Sequence, residues 1–367
     1  MGDLLIYADT IRSPELRHEV PVPVPDPFLY VERDGSRYAF VGSLEIPRMQ
    51  DLDGLQPVPL EELGLDELIA QGLKSEELDR EIVLRACRRV GLEGAGAPRW
   101  FPLDVADHLR ANGIDLRVDG DLFDDRRRVK TESELDGIRR AQRAAEAAMD
   151  AIRARLREGQ TSSEELRSEA MRVFSEAGAI VPDIVIISHG TQTAVGHEPG
   201  HGDIQAGEPV VVDLYPQDPD SGCYTDMTRT FCVGEPPDEL VRFHALAREA
   251  LDLAYETIRP GVSGREAHRV VCEFFQGHGF PTQLTKTPGE ILDEGFFHSL
   301  GHGVGLEVHE QPGLGRTGVE IVEGDVLAVE PGLYRQGFGG CRLEDTVLVT
   351  DDGVELLGSG YPYDLAP

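Results

Sequence analysis

This chain repeats itself. From Val210 it reads VVVDLYPQDPDSGCYTDMTRTFCV, and from Val326 it reads VLAVEPGLYRQGFGGCRLEDTVLVT. Gly222, Cys223, Asp226 and Thr228 recur as Gly340, Cys341, Glu344 and Thr346, each 118 positions later, and Asp213 recurs as Glu330 after 117. Further upstream, Gly159, Thr161 and Glu164 recur as Gly261, Ser263 and Glu266, each 102 positions later. An internal duplication of about one hundred residues accounts for these matches. Two similar halves meeting at a pseudo-twofold axis are the expected result.

The order of elements repeats as well. Residues 132–158 and 162–176 have helical spacing, with Thr161 or Ser162 as N-cap of the second helix. Strand-like runs follow at 183–188, 210–214 and 223–233. Residues 237–258 and 263–276 give a second helix pair, with Ser263 as a cap, and strand-like runs follow at 326–329 and 342–350. Ahead of the repeats lie β-like runs at 4–7, 28–31 and 38–41 and helical patterns at 75–90 and 102–112, stopped by Gly91 and Gly113. Pro21, Pro23, Pro25 and Pro27 forbid a helix between the first two runs. The charged passage DDRRRVK, residues 124–130, reads as a boundary. The expectation is an α+β chain: a smaller α/β domain at 1–125, then a domain of duplicated helix–helix–β halves at 126–367.

The repeat places chemistry at matching points. Asp213 and Glu330 each end an apolar strand, and Asp226 and Glu344 follow 13 and 14 residues later. An acid at the end of a buried strand is costly unless something neutralises it. Four such acids meeting at one axis repel one another, and two divalent cations would balance their charge. Carboxylate oxygens suit hard or borderline ions such as Mn²⁺, Co²⁺ or Zn²⁺.

Histidines complete the pattern. Residues 297–311 read FHSLGHGVGLEVHEQ, with His298, His302 and His309 inside one Gly-rich passage between the two acid pairs. Gly301, Gly303 and Gly305 permit close backbone approach around His302, a candidate ligand. A second motif, HEPGH at 197–201, matches the H-E-x-x-H pattern of zinc proteases. That motif needs a helix to turn both histidines one way, and Pro199 with Gly200 argues against one.

On these residues the chain resembles the metal-dependent pita-bread peptidases, a group comprising prolidase, aminopeptidase P and methionine aminopeptidase, with creatinase as a metal-free relative. The resemblance covers the chain from about residue 126 onward, and the N-terminal domain is similar to that of creatinase and prolidase. It implies five metal ligands, Asp213, Asp226, His302, Glu330 and Glu344, holding two divalent ions, Mn²⁺ first and Co²⁺ or Zn²⁺ as alternatives. Asp226 would bridge the ions, Asp213 would hold one and His302 the other. The implied activity is hydrolysis of Xaa-Pro bonds in short peptides, as an Xaa-Pro dipeptidase or aminopeptidase, by a hydroxide held between the ions. Glu330 is then the acid–base residue, His309, His298 and His197 lie on the substrate side, and Arg342 orients substrate or supports its hairpin. A homodimer is the implied assembly.

Two departures widen the reading. The group often shows Asp-x-Gly-Ala at the first ligand, whereas Leu214 and Tyr215 follow Asp213 here and the loop from Pro216 to Gly222 is longer. Gly196 precedes His197 where the group has proline. A hydrolase of another amide or ester on the same fold, or a non-catalytic peptide-binding relative, are the alternatives. Charge excludes other partners: 67 acidic against 35 basic residues give −32, which argues against nucleic acid and anionic membranes. Five scattered cysteines without CxxC spacing and an N-terminus without a basic leader predict a reducing, cytoplasmic location. So acidic a chain, with Lys74, Lys130 and Lys286 as its only lysines, looks suited to a salty cytosol.

Overall fold

The computed structural model describes residues 2–367. The chain divides into two compact units, Met1–Arg127 and Arg128–Pro367. The first is built on a six-stranded mixed sheet of β1 (Leu4–Ala8), β2 (Phe28–Arg33), β3 (Ser36–Val41), β4 (Leu55–Pro59), β5 (Gly94–Ala97) and β6 (Asp115–Val118), in the order β4-β3-β2-β1-β5-β6. Its helices are α1 (Pro14–Glu19), α2 (Ile46–Met49), α3 (Leu65–Ala70), α4 (Ser75–Arg89), α5 (Leu103–Ala111) and α6 (Gly120–Arg128). Strand alternation divides the core. Leu5, Leu29, Val31 and Phe40 pack against Val83, Cys87 and Leu109 on one face, while Leu4, Ile6, Tyr30 and Val41 pack against Leu16, Val20 and Phe123 on the other.

The charged passage read as a boundary is helical. Residues 124–128 close α6, which buries Phe123 and Arg127. Arg126 donates to Glu19 and Glu32, so its charges face partners instead of solvent.

The second unit contains the duplication. Helices α7 (Glu132–Glu158) and α8 (Ser163–Glu176) cover a three-stranded sheet of β7 (Ile186–His189), β8 (Pro209–Leu214) and β9 (Met227–Cys232). Along α7 the apolar stripe Ala145, Ala148, Ile152 and Leu156 has helical spacing and packs on Ile187, Val210 and Val212. Helices α9 (Asp238–Thr257) and α10 (Gly264–Gly277) pack in the same way over the second half. That half holds β10 (Glu294–Gly295), β11 (Gly301–Gly303), β12 (Glu310–Leu314), β13 (Val326–Val329), β14 (Gly332–Arg335), β15 (Gly339–Arg342), β16 (Asp345–Val349) and β17 (Val354–Leu356). Its larger sheet runs β12-β11-β13-β16-β17.

The two copies differ in how their paired acids are joined. In the first, residues 215–226, with a bridge between Gln217 and Tyr224, connect β8 to its antiparallel partner β9. In the second, the residues between Glu330 and Glu344 fold into the hairpin β14–β15 before β16 returns to pair with β13. A β-bridge between Thr228 and Glu344 joins the halves. No helix among the described residues is long and apolar enough to cross a membrane.

Candidate metal centre

Each of the four acids stands at a strand end. Asp213 is the penultimate residue of β8, Asp226 immediately precedes β9, Glu330 immediately follows β13, and Glu344 immediately precedes β16. Antiparallel pairing sets Asp213 opposite Thr228 and Val329 opposite Asp345, and the Thr228–Glu344 bridge brings the two pairs to one place. His302 lies at the middle of β11, opposite Ala328 of β13. All five side chains line one cavity of about 230 Å³, together with Tyr215, His197, His309, Arg342, Ile186 and Val308.

Taken by themselves, the side chains of the cluster are electrostatically strained. Asp226 and Glu344 are 5% and 2% exposed. Burial and the neighbouring carboxylates, Glu344 first for Asp226 and Glu330 first for Glu344, push both acids well above the usual carboxylate range. Burial lifts Glu330 to about 7 against the pull of Arg342. Arg342, itself buried, donates to Asp213 Oδ2 and stands 3.9 Å from Glu330. One guanidinium leaves the cluster acidic.

The donor atoms fit a cation. Oδ1 of Asp213 and Oδ1 of Asp226 are buried with no hydrogen-bond partner, an arrangement proteins avoid unless something else satisfies the atom. Donor atoms of Asp226, His302 and Glu344 lie within 4.8 Å of one another. Burial, with His309 nearby, lowers His302 to about 3, so the ring is neutral. Its Nδ1 lies 3.1 Å from the Gly303 carbonyl, which can only accept, so Nδ1 carries the proton. The lone pair of Nε2 then faces Asp226 at 3.8 Å and Glu330 at 3.9 Å, which is favourable only with a positive ion between them.

Comparison with known proteins agrees. Residues 136–351 match Metallopeptidase family M24. The chain is 31% identical over 284 residues to the Xaa-Pro dipeptidase of Pyrococcus furiosus, covering 75% of each chain. The chain belongs to metallopeptidase family M24. Solved structures share its fold. The prolidase from Pyrococcus furiosus superposes with a TM-score of 0.77 at 22% identity, over 99% of this chain and 97% of that one. The X-Pro aminopeptidase from Thermotoga maritima gives 0.79 at 20% identity, over 98% and 96%. The M24 chain is thus a metal-dependent hydrolase with the pita-bread fold, and its carboxylate and imidazole donors suit a divalent ion.

The remaining residues of this M24 site take different positions. His309 is on the cavity rim, its ring 4.2 Å from that of His302 and edge-on to it. His197 lies in an exposed turn that lines the cavity. HEPGH forms no helix, and Gly200 within it has φ of +80°. His298 does not line the cavity: it stands behind Glu330 at 3.8 Å, with Nδ1 on the Ser299 carbonyl at 2.7 Å and Nε2 on the Tyr334 hydroxyl at 2.9 Å. Phe296 is fully buried behind that ring. Arg342 serves the acid cluster directly, and its Nε also donates to Thr228 Oγ1 at 3.2 Å. The glycines flanking His302 serve the sheet: a side chain at Gly301 would strike the Ala328 carbonyl, and one at Gly303 the Gln311 carbonyl.

Sequence reasoning missed Thr228 and Tyr334. Thr228 Oγ1 donates to Glu344 Oε2 at 2.6 Å. Thr346 Oγ1 accepts from the Asp226 amide and donates to the Asp226 carbonyl, at 3.0 and 2.8 Å. Each threonine of the repeat thus holds a carboxylate residue of the other copy. Their matched positions were the available signal; Tyr334 had none.

Proposed function

We propose that this protein is a dinuclear metallopeptidase that hydrolyses Xaa-Pro bonds in short peptides. The observation that carries the reading is the convergence of Asp213, Asp226, His302, Glu330 and Glu344 on one cavity, with two buried carboxylate oxygens left unpaired. These five residues would hold two divalent ions, manganese first and cobalt or zinc as alternatives, because oxygen donors outnumber nitrogen. When bound, such ions acidify water and polarise a carbonyl. The printed activities of the relatives, Xaa-Pro dipeptidase and X-Pro aminopeptidase, supply the substrate class.

The chain's own residues divide the remaining work. Glu330 takes a proton from water and passes it to the leaving nitrogen. His309, on the rim, donates to the oxygen that gains charge at the scissile carbonyl. His197 contacts substrate from the exposed turn. His298, fixed by Ser299 and Tyr334, holds Glu330 in place. Arg342 keeps Asp213 oriented. The reading includes a cytoplasmic location, in keeping with five buried unpaired thiols, and a homodimer, whose mass sedimentation would give directly.

The test is hydrolysis of Xaa-Pro dipeptides and longer Xaa-Pro peptides after loading with Mn²⁺. Activity is expected, with loss on chelation and return on adding metal. Glu330→Gln should lower kcat by about 10²–10⁴-fold. A folded, metal-loaded protein that cleaves none of these peptides would remove the reading. Tyr215 favours a second one, hydrolysis of another amide or ester, because its ring occupies the cavity beside Asp213. Non-peptide amides and esters in the same assay separate the two.

A further inference from the structure

We propose that Lys130 and Glu310 form a buried positioning pair that aims His309, and the loop leading from His302, into the cavity. The two residues are 180 positions apart in sequence, and the ammonium contacts Glu310 Oε1 directly, with both side chains 3% exposed. Lys130 Nζ also donates to the Arg128 carbonyl at 3.3 Å. The pair lies against the loop between β11 and β12. A Cβ on Gly305 would come within 2.6 Å of both Lys130 Cε and Glu310 Oε1, so the pair sits directly against this backbone. The Tyr224 amide holds that loop at the Gly305 carbonyl, at 2.7 Å.

Strand geometry links the pair to the site. Glu310 opens β12 and lies opposite Gly303, the residue after His302. His309 lies in the bend immediately before Glu310, so seating Glu310 beside Lys130 and Gly305 fixes the backbone from which the His309 ring meets that of His302.

Composition marks the same residue. The chain has three lysines against an otherwise arginine-based cation set, and Lys74 is exposed and Lys286 partly so. Lys130 places a compact ammonium in the buried slot between Gly305 and Glu310, where an arginine would have to seat a larger, planar guanidinium.

The proposal extends the peptidase reading, but its structural arm is independent of activity. The variants are Lys130→Arg and the double Lys130→Met/Glu310→Met, made in the full chain. Apolar replacement of a buried ion pair often leaves stability unchanged or improved, so the double variant separates positioning from folding. The readouts are the thermal midpoint, the ¹⁵N-histidine ring signal of His309 in metal-free protein (assigned with His309→Gln), and peptide kinetics after metal loading. Both variants should shift or broaden the His309 signal. kcat should fall by about tenfold with KM little changed, while the double variant keeps the parent's thermal midpoint. A parental His309 signal in Lys130→Arg, or in a folded double variant, overturns the proposal. Should the parent itself cleave no peptide, the His309 signal alone decides, so the two claims fail separately.

Discussion

The hydroxyl of Thr228 joins the two copies of the repeat at their most charged point. It donates to Glu344 and accepts from Arg342, so one buried group orients a carboxylate and a guanidinium together. Thr346, its counterpart, bonds the backbone of Asp226 and the Thr225 hydroxyl and meets no carboxylate oxygen. The two threonines should therefore respond differently to the same change. Thr228→Val keeps the shape and removes the donor to Glu344, one of the proposed metal ligands, so affinity for added Mn²⁺ should fall by about 10–100-fold. Thr346→Val removes a backbone tie and should cost about 1–3 kcal/mol of stability with a smaller effect on affinity. Calorimetric titration of both variants checks the order, and equal losses of affinity would contradict it. The convergence of the acids was legible in the sequence because duplication marked them, and His302 because it sits among glycines between the two acid pairs. Tyr334 was not, because its hydroxyl meets His298 across a fold that no spacing announces.

Among the elements, helices were the most legible. Three of the long ones, α7, α8 and α10, carry both a capping side chain and an apolar stripe in their own sequence, and α9 begins after Pro237. Thr131 accepts from the Glu134 amide at 3.2 Å while Glu134 accepts from the Thr131 amide at 2.8 Å, a reciprocal box at the start of α7. Thr131→Ala should destabilise the second unit by about 1 kcal/mol, and Thr131→Ser should retain most of that. Faster amide exchange over residues 132–135 in the alanine variant, set beside the serine variant, is the measurement. The missed elements are strands whose residues carry no β signal. β5 is GAGA, held as a strand by parallel pairing with β6 and with β1. β4 contains Pro57 and Pro59, tolerated because it is an edge strand pairing with β3 alone. β11 is Gly-His-Gly, extended because neighbouring backbones enclose it. The helix α6 was missed within the charged passage, inside which the two units divide, because the acids that Arg126 meets, Glu19 and Glu32, are remote in sequence.

For the whole chain the governing quantity is its charge of −32. Two salt effects compete. Helical surface pairs such as Arg172 with Glu169 and Glu176, and Arg269 with Glu266 and Glu273, weaken as salt rises. Exposed pairs of this kind contribute about 0–1 kcal/mol each. Against them stands the repulsion among 67 acidic residues set against 35 basic ones. The range of that repulsion is roughly 10 Å at 0.1 M salt and roughly 3 Å at 1 M. The excess is large enough for screening to prevail, so the melting temperature should rise with KCl. Its form distinguishes the cause. Screening acts most strongly over the first few tenths molar and then levels off, whereas exclusion of a cosolute from the surface continues to stabilise as concentration grows. Sucrose at matched osmolality should therefore fail to reproduce the early rise. A melting temperature unchanged from low to molar KCl would show that the surface acids are spaced widely enough not to interact, and the chain's composition would then say nothing about its stability.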